Sequence, residues 1–173
     1  MDSEELRALQ APLKARYRDE PGSAVITLKA QGTLGDEQIT CKVDAGKALV
    51  EAGLHPATGG DGLFACSGDM LLEALVACAG VTLKAVAMAL GLTIRSGRVS
   101  AEGDLDVRGT LGVSKETPVG IQAIRLRFEL DTDATADQLQ TLLKLTERYC
   151  VVLQTLRNPA SLVVSVERET PRA

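Results

Sequence analysis

The stretch "CSGDMLLEALVACAG", residues 66–80, is an almost uninterrupted apolar run with a cysteine, Cys78, inside it. Followed onward, the run continues to Leu90, and Gly91 stands just past its end, where a glycine closes a helix in the left-handed conformation. A long helix over Met70–Leu90 is predicted. The run is long enough to tempt a transmembrane assignment. It carries Glu73 and Lys84, however, and no second run of this kind occurs in the chain, so a buried central helix is the better expectation. The helical stripe that contains Cys78 also holds Leu71, Ala74, Leu75, Val81, Thr82 and Ala85, which are small or aliphatic and suit close packing on another helix. A free cysteine packs like a small hydrophobe and is often buried. Cys78 is therefore either an inert core residue or a reactive thiol held by the helix.

A second helix begins further on. Thr135 and Gln138 form a T-x-x-Q capping box ahead of Leu139. Apolar residues then recur at helical spacing through Leu139, Leu142, Leu143, Thr146, Cys150 and Leu153, which sets Cys150 on the inward stripe. Asn158-Pro159 breaks the chain. Around these helices lie strand-like segments. Residues 13–18, 23–34 and 37–44, separated by turn residues such as Pro21-Gly22 and Gly35-Asp36, predict an antiparallel meander. Residues 45–53 suit one or two turns of helix, and the Gly-rich stretch 54–68 a loop. A strand over 93–109, broken at Gly103, is expected, then a loop or hairpin tip. Residues 121–130 alternate an apolar face with a charged one, as in a half-exposed strand. Residues 161–169 close the chain as a last strand, and residues 1–12 form an N-terminal arm. Strands, helix, strands, helix, strand in this order define an α+β fold, a single domain over residues 1–173.

Bulk properties narrow the function. The 173 residues are 45% apolar, enough for one sizeable core, but only 2% aromatic, with no Trp. A surface that stacks nucleic-acid bases on rings is disfavoured. The net charge of −4 and pI near 5.1 argue against nucleic acid and anionic membrane as partners. The N-terminus has no apolar stretch flanked by basic residues, so no secretory signal is read and a cytoplasmic location is expected. Four cysteines (Cys41, Cys66, Cys78 and Cys150) in that compartment are not expected to form structural disulfides. They form no CxxC pair, and His55 is the only histidine, so no metal site is expected. Any Ser-His or Cys-His mechanism would have to run through His55.

At this point the residues resemble a known family. "GDMLLEALVACAG" is similar to the first signature of the OsmC/Ohr family, an acidic residue followed by Leu-Leu-x-Ala-x-x-x-Cys on a central helix. "LTERYCVVLQTL" resembles the family's second cysteine segment at the right distance downstream, and the Gly-rich "TGGDG" and the strand order also match. The resemblance runs over about residues 13–169. It implies an OsmC-like α+β homodimer whose subunits interlock their antiparallel sheets around two central helices. It also implies a thiol-dependent peroxidase acting on organic hydroperoxides in oxidative stress. Cys78 would be the attacking thiol, Cys150 the resolving one, and a dithiol the external reductant, with no cofactor. The family pairs its thiolate with an arginine steadied by an acidic residue. The acidic position nine residues before the cysteine is usually Glu and is Asp69 here. Arg16, ahead of Arg18 and Arg148, is the candidate cation.

The chemistry of the residues agrees with this. A thiolate attacks the O–O bond and becomes a sulfenic acid, a second thiol condenses with it to a disulfide, and exchange with external thiols restores both. Such a cycle needs two cysteines and neither histidine nor metal. An apolar surround favours alkyl hydroperoxides, but it also raises a thiol pKa above the free value of about 8.5. Mid-helix placement gives Cys78 no help from its own helix dipole, so a cation is expected to supply it. Nine residues turn an ideal helix by about 180°, so Asp69 points away from its own Cys78. Cys41 is expected in the core. Cys66 is either a packed loop residue or a rival resolving thiol, and His55 belongs to loop structure. The alternative function is an OsmC-like dimer that binds a small apolar ligand, or senses oxidants, without turnover.

Overall fold

The computed structural model describes residues 49–112 and 114–168 with their side chains. It also describes the backbone at 32–34, 40–45 and 48, and the isolated positions Glu4, Ala8, Ala11 and Asp19. The expected strand over 13–18, with Arg16 and Arg18, lies outside the described residues, as do most of the N-terminal arm and the greater part of the expected strand 23–34.

Strands β1 (Gly32–Leu34), β2 (Thr40–Ala45), β3 (Ala48–Gly53) and β4 (Ala65–Cys66) form one sheet in that order. The first two pairings are antiparallel and the last is parallel. β3 replaces the expected helical turns over 45–53. Its register on β2 pairs Ala45 with Ala48 and Thr40 with Gly53. Pairing with β2 overrides the helix preference of Ala, Leu and Glu. The 54–64 loop contains a 3-10 turn, Pro56–Thr58. His55 caps it, its Nδ1 accepting from the Ala57 N–H at 3.0 Å, and so has the structural role expected of it.

Helix α1 runs from Ser67 to Leu90 and ends as expected, with Gly91 left-handed (φ 69°) and its N–H donated to the Ala87 and Met88 carbonyls. By length and composition it could cross a membrane, but its buried side is packed in a core. That side consists of Leu75, Ala79, Leu83, Val86 and Ala87, which keeps Leu75 of the expected stripe but is otherwise rotated from it. Leu71 and Val81, placed inward from the sequence, are 41% and 73% exposed. A helix that is apolar all round carries little information about which side faces in.

β5 (Ile94–Leu105) and β6 (Ile121–Thr132) form a second, antiparallel sheet. The expected break at Gly103 is absent, and that residue pairs with Ile124. A Cβ there would lie 3.1 Å from Ile121 Cγ2 and 3.3 Å from Leu72 Cδ1, so the glycine lets α1 lie close on the strand. Between the strands is a short turn of helix, α2 (Val107–Thr110), capped by Asp106.

α3 (Ala136–Tyr149) starts at the expected capping box: Gln138 Oε1 accepts the Thr135 N–H at 2.8 Å, and Thr135 Oγ1 accepts the Gln138 N–H at 3.3 Å. The helix does not continue through Cys150. That residue has extended backbone (φ −73°, ψ 107°), and a separate helix, α4 (Val151–Arg157), follows. Residues 161–168 do not form the expected last strand. Leu162, Val163, Val164 and Val166 there are 89–94% exposed. Alternation alone makes no strand, because the ladder needs a partner edge.

The core lies where α1 packs on α3, α4 and the inner face of β5–β6. One cluster joins Leu83, Val86 and Ala87 of α1 to Leu142 of α3. The other joins Leu75 and Ala79 to Cys150. Each fully buried leucine contributes about 1.5–3 kcal/mol, so the α1–α3 contact that carries the two thiols is also the firmest part of the described fold.

Candidate functional site: the Cys78–Cys150 thiol pair

The antiparallel packing of α1 on α3 brings together two cysteines that are 72 positions apart (78 to 150) in the chain. Cys78 is half-buried on the edge of the α1 stripe, and Cys150 is 1% exposed at the α3–α4 junction. Both are free thiols; Cys78 packs against the cluster that contains Cys150, and each thiol influences the other's ionisation. Leu75, Ala79, Val99, Leu126 and Val152 are among the apolar residues around them.

The break in the second helix makes the site. The Cys150 N–H still completes α3 by donating to the Thr146 carbonyl at 2.9 Å, and the Cys150 carbonyl begins α4 by accepting from the Gln154 N–H at 2.9 Å. Between these bonds the chain turns, and the first N–H groups of α4 have no partner within their own helix. Those of Val151 and Val152 face the Cys78 sulfur. Thr82 stands one helical turn beyond Cys78 on the same side of α1.

The balance of these effects separates the two thiols. Burial pushes the Cys78 thiol up, but the Val152 N–H, the Cys150 thiol, the Val151 N–H and the Thr82 hydroxyl outweigh it, and the thiol sits below its ordinary value. Burial is also the largest influence on Cys150. The bond to Cys78 and the charge there add to it, the Leu153 and Val152 N–H groups offset it only in part, and Cys150 is pushed up. The negative charge therefore belongs on Cys78 and the proton on Cys150. A sequence reading that looked for a cation missed the backbone donors, because no Gly or Pro at 149–152 marks the break that exposes them.

The other expected residues are placed as follows. Asp69 is exposed in the first turn of α1, about 13 Å along the axis from Cys78 at 1.5 Å per residue. Arg148 is on the outer side of α3, exposed and stacked over the Tyr149 ring at 5.5 Å, so it is not brought to the thiols. Arg16 and Arg18 are outside the described residues. Cys66 is the residue before α1 and lies about 18 Å along the axis from Cys78. Disulfide formation needs Cα atoms within roughly 4.4–6.8 Å, so Cys66 is out of reach. The backbone of Cys41 is in β2, paired with Ala52, and its side chain is outside the described residues. No three His, Cys, Asp or Glu side chains among the described residues converge on a metal position.

An apolar groove of about 850 Å³ runs along β6 beside α3 and α4. Leu75, Leu126, Phe128 and Leu153 belong both to its lining and to the cluster around the thiols. Arg127, Glu147 and Arg157 supply its charged lining, with Arg157 Nη2 2.9 Å from Glu147 Oε2.

The α+β arrangement of these helices and sheets is the fold of OsmC-like proteins. The chain belongs to that family, whose OsmC-like protein model matches residues 60–165 and so includes both cysteines. Similar solved structures include an OsmC-like protein from Mycoplasma pneumoniae, 16% identical with a TM-score of 0.64 over 78% of this chain and 89% of that one. An organic hydroperoxide resistance protein from Elizabethkingia anophelis is 17% identical, with a TM-score of 0.63 over 79% and 91%. An organic hydroperoxide resistance protein OsmC from Legionella pneumophila is 15% identical, with a TM-score of 0.62 over 78% and 92%. At these identities the likeness establishes the fold. No curated protein matches the chain in sequence.

Proposed function

We propose that the protein is a thiol-dependent peroxidase that reduces organic hydroperoxides. The observation that carries this is the contact between a thiol held low, Cys78, and a buried thiol held high, Cys150. The Cys78 thiolate attacks the terminal oxygen of the hydroperoxide. An S–O bond forms, the O–O bond breaks, and the alkoxide takes a proton to leave as the alcohol. Cys150 then loses its proton and its sulfur attacks Cys78. The S–OH bond breaks, hydroxide leaves with a proton as water, and a disulfide remains. A dithiol restores both thiols by exchange. No cofactor or metal takes part. The apolar groove that shares walls with the thiols favours alkyl hydroperoxides, and the names of the Elizabethkingia and Legionella proteins support the same substrate class. A cytoplasmic setting supplies the reductant, and neither nucleic acid nor membrane is a partner. The test is consumption of cumene hydroperoxide by the wild-type protein with a dithiol reductant. Turnover supports the peroxidase. Absence of turnover with every thiol tried favours the second reading, a module that binds an apolar ligand in the same groove.

The working assembly is a homodimer. Leu71 and Val81 are exposed apolar residues of α1, and the apolar residues of 162–166 have no partner edge among the described residues. A second copy would cover both. Sedimentation at micromolar concentration is expected to give a dimer, and a stable monomer would count against this assembly.

A further inference from the structure

The two sulfurs of the pair differ in how a molecule from outside can reach them. Cys150 is 1% exposed and shares its cluster with Leu75 and Ala79 of α1, both fully buried. Val152 and Leu153 of α4 pack against the same cluster. Cys78 is half-buried, and Ala74 and Val81, four residues before and three after it on the same side of α1, are exposed. Cys150 is sealed within its own subunit, so a second copy packed on the chain does not open it. The peroxide step, for its part, requires Cys78 to stay open.

A disulfide is reduced by attack of a thiolate on one of its two sulfurs, nearly in line with the bond that breaks, and the other sulfur leaves. In a Cys78–Cys150 disulfide, Cys78 is met from the outer side of α1, along the path by which the peroxide enters. Any approach to Cys150 has to cross the buried cluster. We propose that the reducing dithiol attacks Cys78 and not Cys150. Its first thiolate bonds to the Cys78 sulfur, the bond between the cysteines breaks, and Cys150 leaves and takes up a proton. The second thiol of the reductant then loses its proton and attacks the reductant sulfur held on Cys78. That bond breaks, the reductant departs as its disulfide, and Cys78 is left as the thiolate. Ionisation alone favours the opposite attack, because Cys78, the thiol held low, is the better leaving group. The burial of Cys150 decides against it. The same geometry selects the reductant. A monothiol bound at Cys78 leaves Cys150 beside it to close the disulfide again, whereas a dithiol brings its own second sulfur.

The inference rests on the peroxidase reading for its place in a cycle, but its test uses no peroxide. The full-length wild-type protein is oxidised with diamide, freed of the reagent and exposed to rising concentrations of 2-mercaptoethanol. Samples are stopped with acid at early times, free thiols are blocked with N-ethylmaleimide in denaturant at mildly acid pH, and both labels are located by peptide mass. Mercaptoethanol on Cys78 with maleimide on Cys150 should exceed the mirror-image product by ~10-fold or more. Equal amounts of the two products, or an excess of mercaptoethanol on Cys150, would overturn the proposal. So would a pair that diamide does not bridge, or a bridge that the monothiol never opens, since Cys78 would then admit no thiol. Failure of the protein to turn over hydroperoxide while the expected product pattern holds would remove the peroxidase reading alone.

Discussion

Cys78→Ser is expected to abolish hydroperoxide turnover, lowering the rate by at least ~10³-fold, because a serine hydroxyl is hardly ionised at neutral pH and is a poor nucleophile without a base. No base is at hand. His55, the only histidine, caps a loop turn, and the donors around position 78 stabilise an anion but do not remove a proton. The fold should survive, since the change in volume is small and Thr82, Val151 and Val152 can engage the new hydroxyl. Peroxide consumption with a dithiol reductant, wild type beside variant, measures the effect. Equal rates would remove Cys78 from the chemistry altogether.

Cys150→Ser should separate the two halves of the cycle. The first oxidation of Cys78 needs no resolving thiol and should proceed once per subunit. Sustained turnover with the dithiol should fall by ~10-fold or more, as sulfenic acid accumulates and a second equivalent of peroxide carries it to sulfinic acid. Mass of the intact chain distinguishes these outcomes, through a gain of one oxygen and then two. The burial of Cys150 sharpens the expectation. At 1% exposure, no other described thiol can approach Cys78 through the same core, and Cys66 is about 18 Å away along α1. Undiminished turnover in this variant would assign the resolving step to an external thiol.

The two thiols were legible in the sequence for different reasons. Cys78 lies in a helical run whose apolar length and Gly91 terminator are locally encoded, although the helix begins at Ser67, three residues before the expected Met70, and no side-chain cap marks that start. The α3 start, by contrast, is local, resting on the reciprocal bonds of Thr135 and Gln138. What local pattern could not supply was phase and pairing. α1 is apolar on every side, so its buried stripe was chosen by α3 and β5, and the expected stripe with Leu71 and Val81 was wrong. The segment 45–53 has helix-favouring residues, but its register on β2 made it a strand. Residues 161–168 have a strand's alternation and no partner edge among the described residues.

The site was half legible in the same sense. Helical spacing carried Cys150 inward, as found, but gave no hint that the helix stops there. That break changes the electrostatics. The expectation of a cation rested on burial, on mid-helix placement and on the family resemblance, and its candidates Arg16 and Arg18 lie outside the described residues. The N–H groups that lower the Cys78 thiol come from another helix, and from a junction unmarked by glycine or proline.

The central claim is that Cys78 and Cys150 form one redox unit. Its most direct test is peptide mapping of the wild-type protein after one equivalent of organic hydroperoxide, without reductant. A peptide pair joined through Cys78 and Cys150, reversed by a dithiol, is the predicted result. A Cys78 that remains a free thiol, or a disulfide that runs through Cys66, would contradict it.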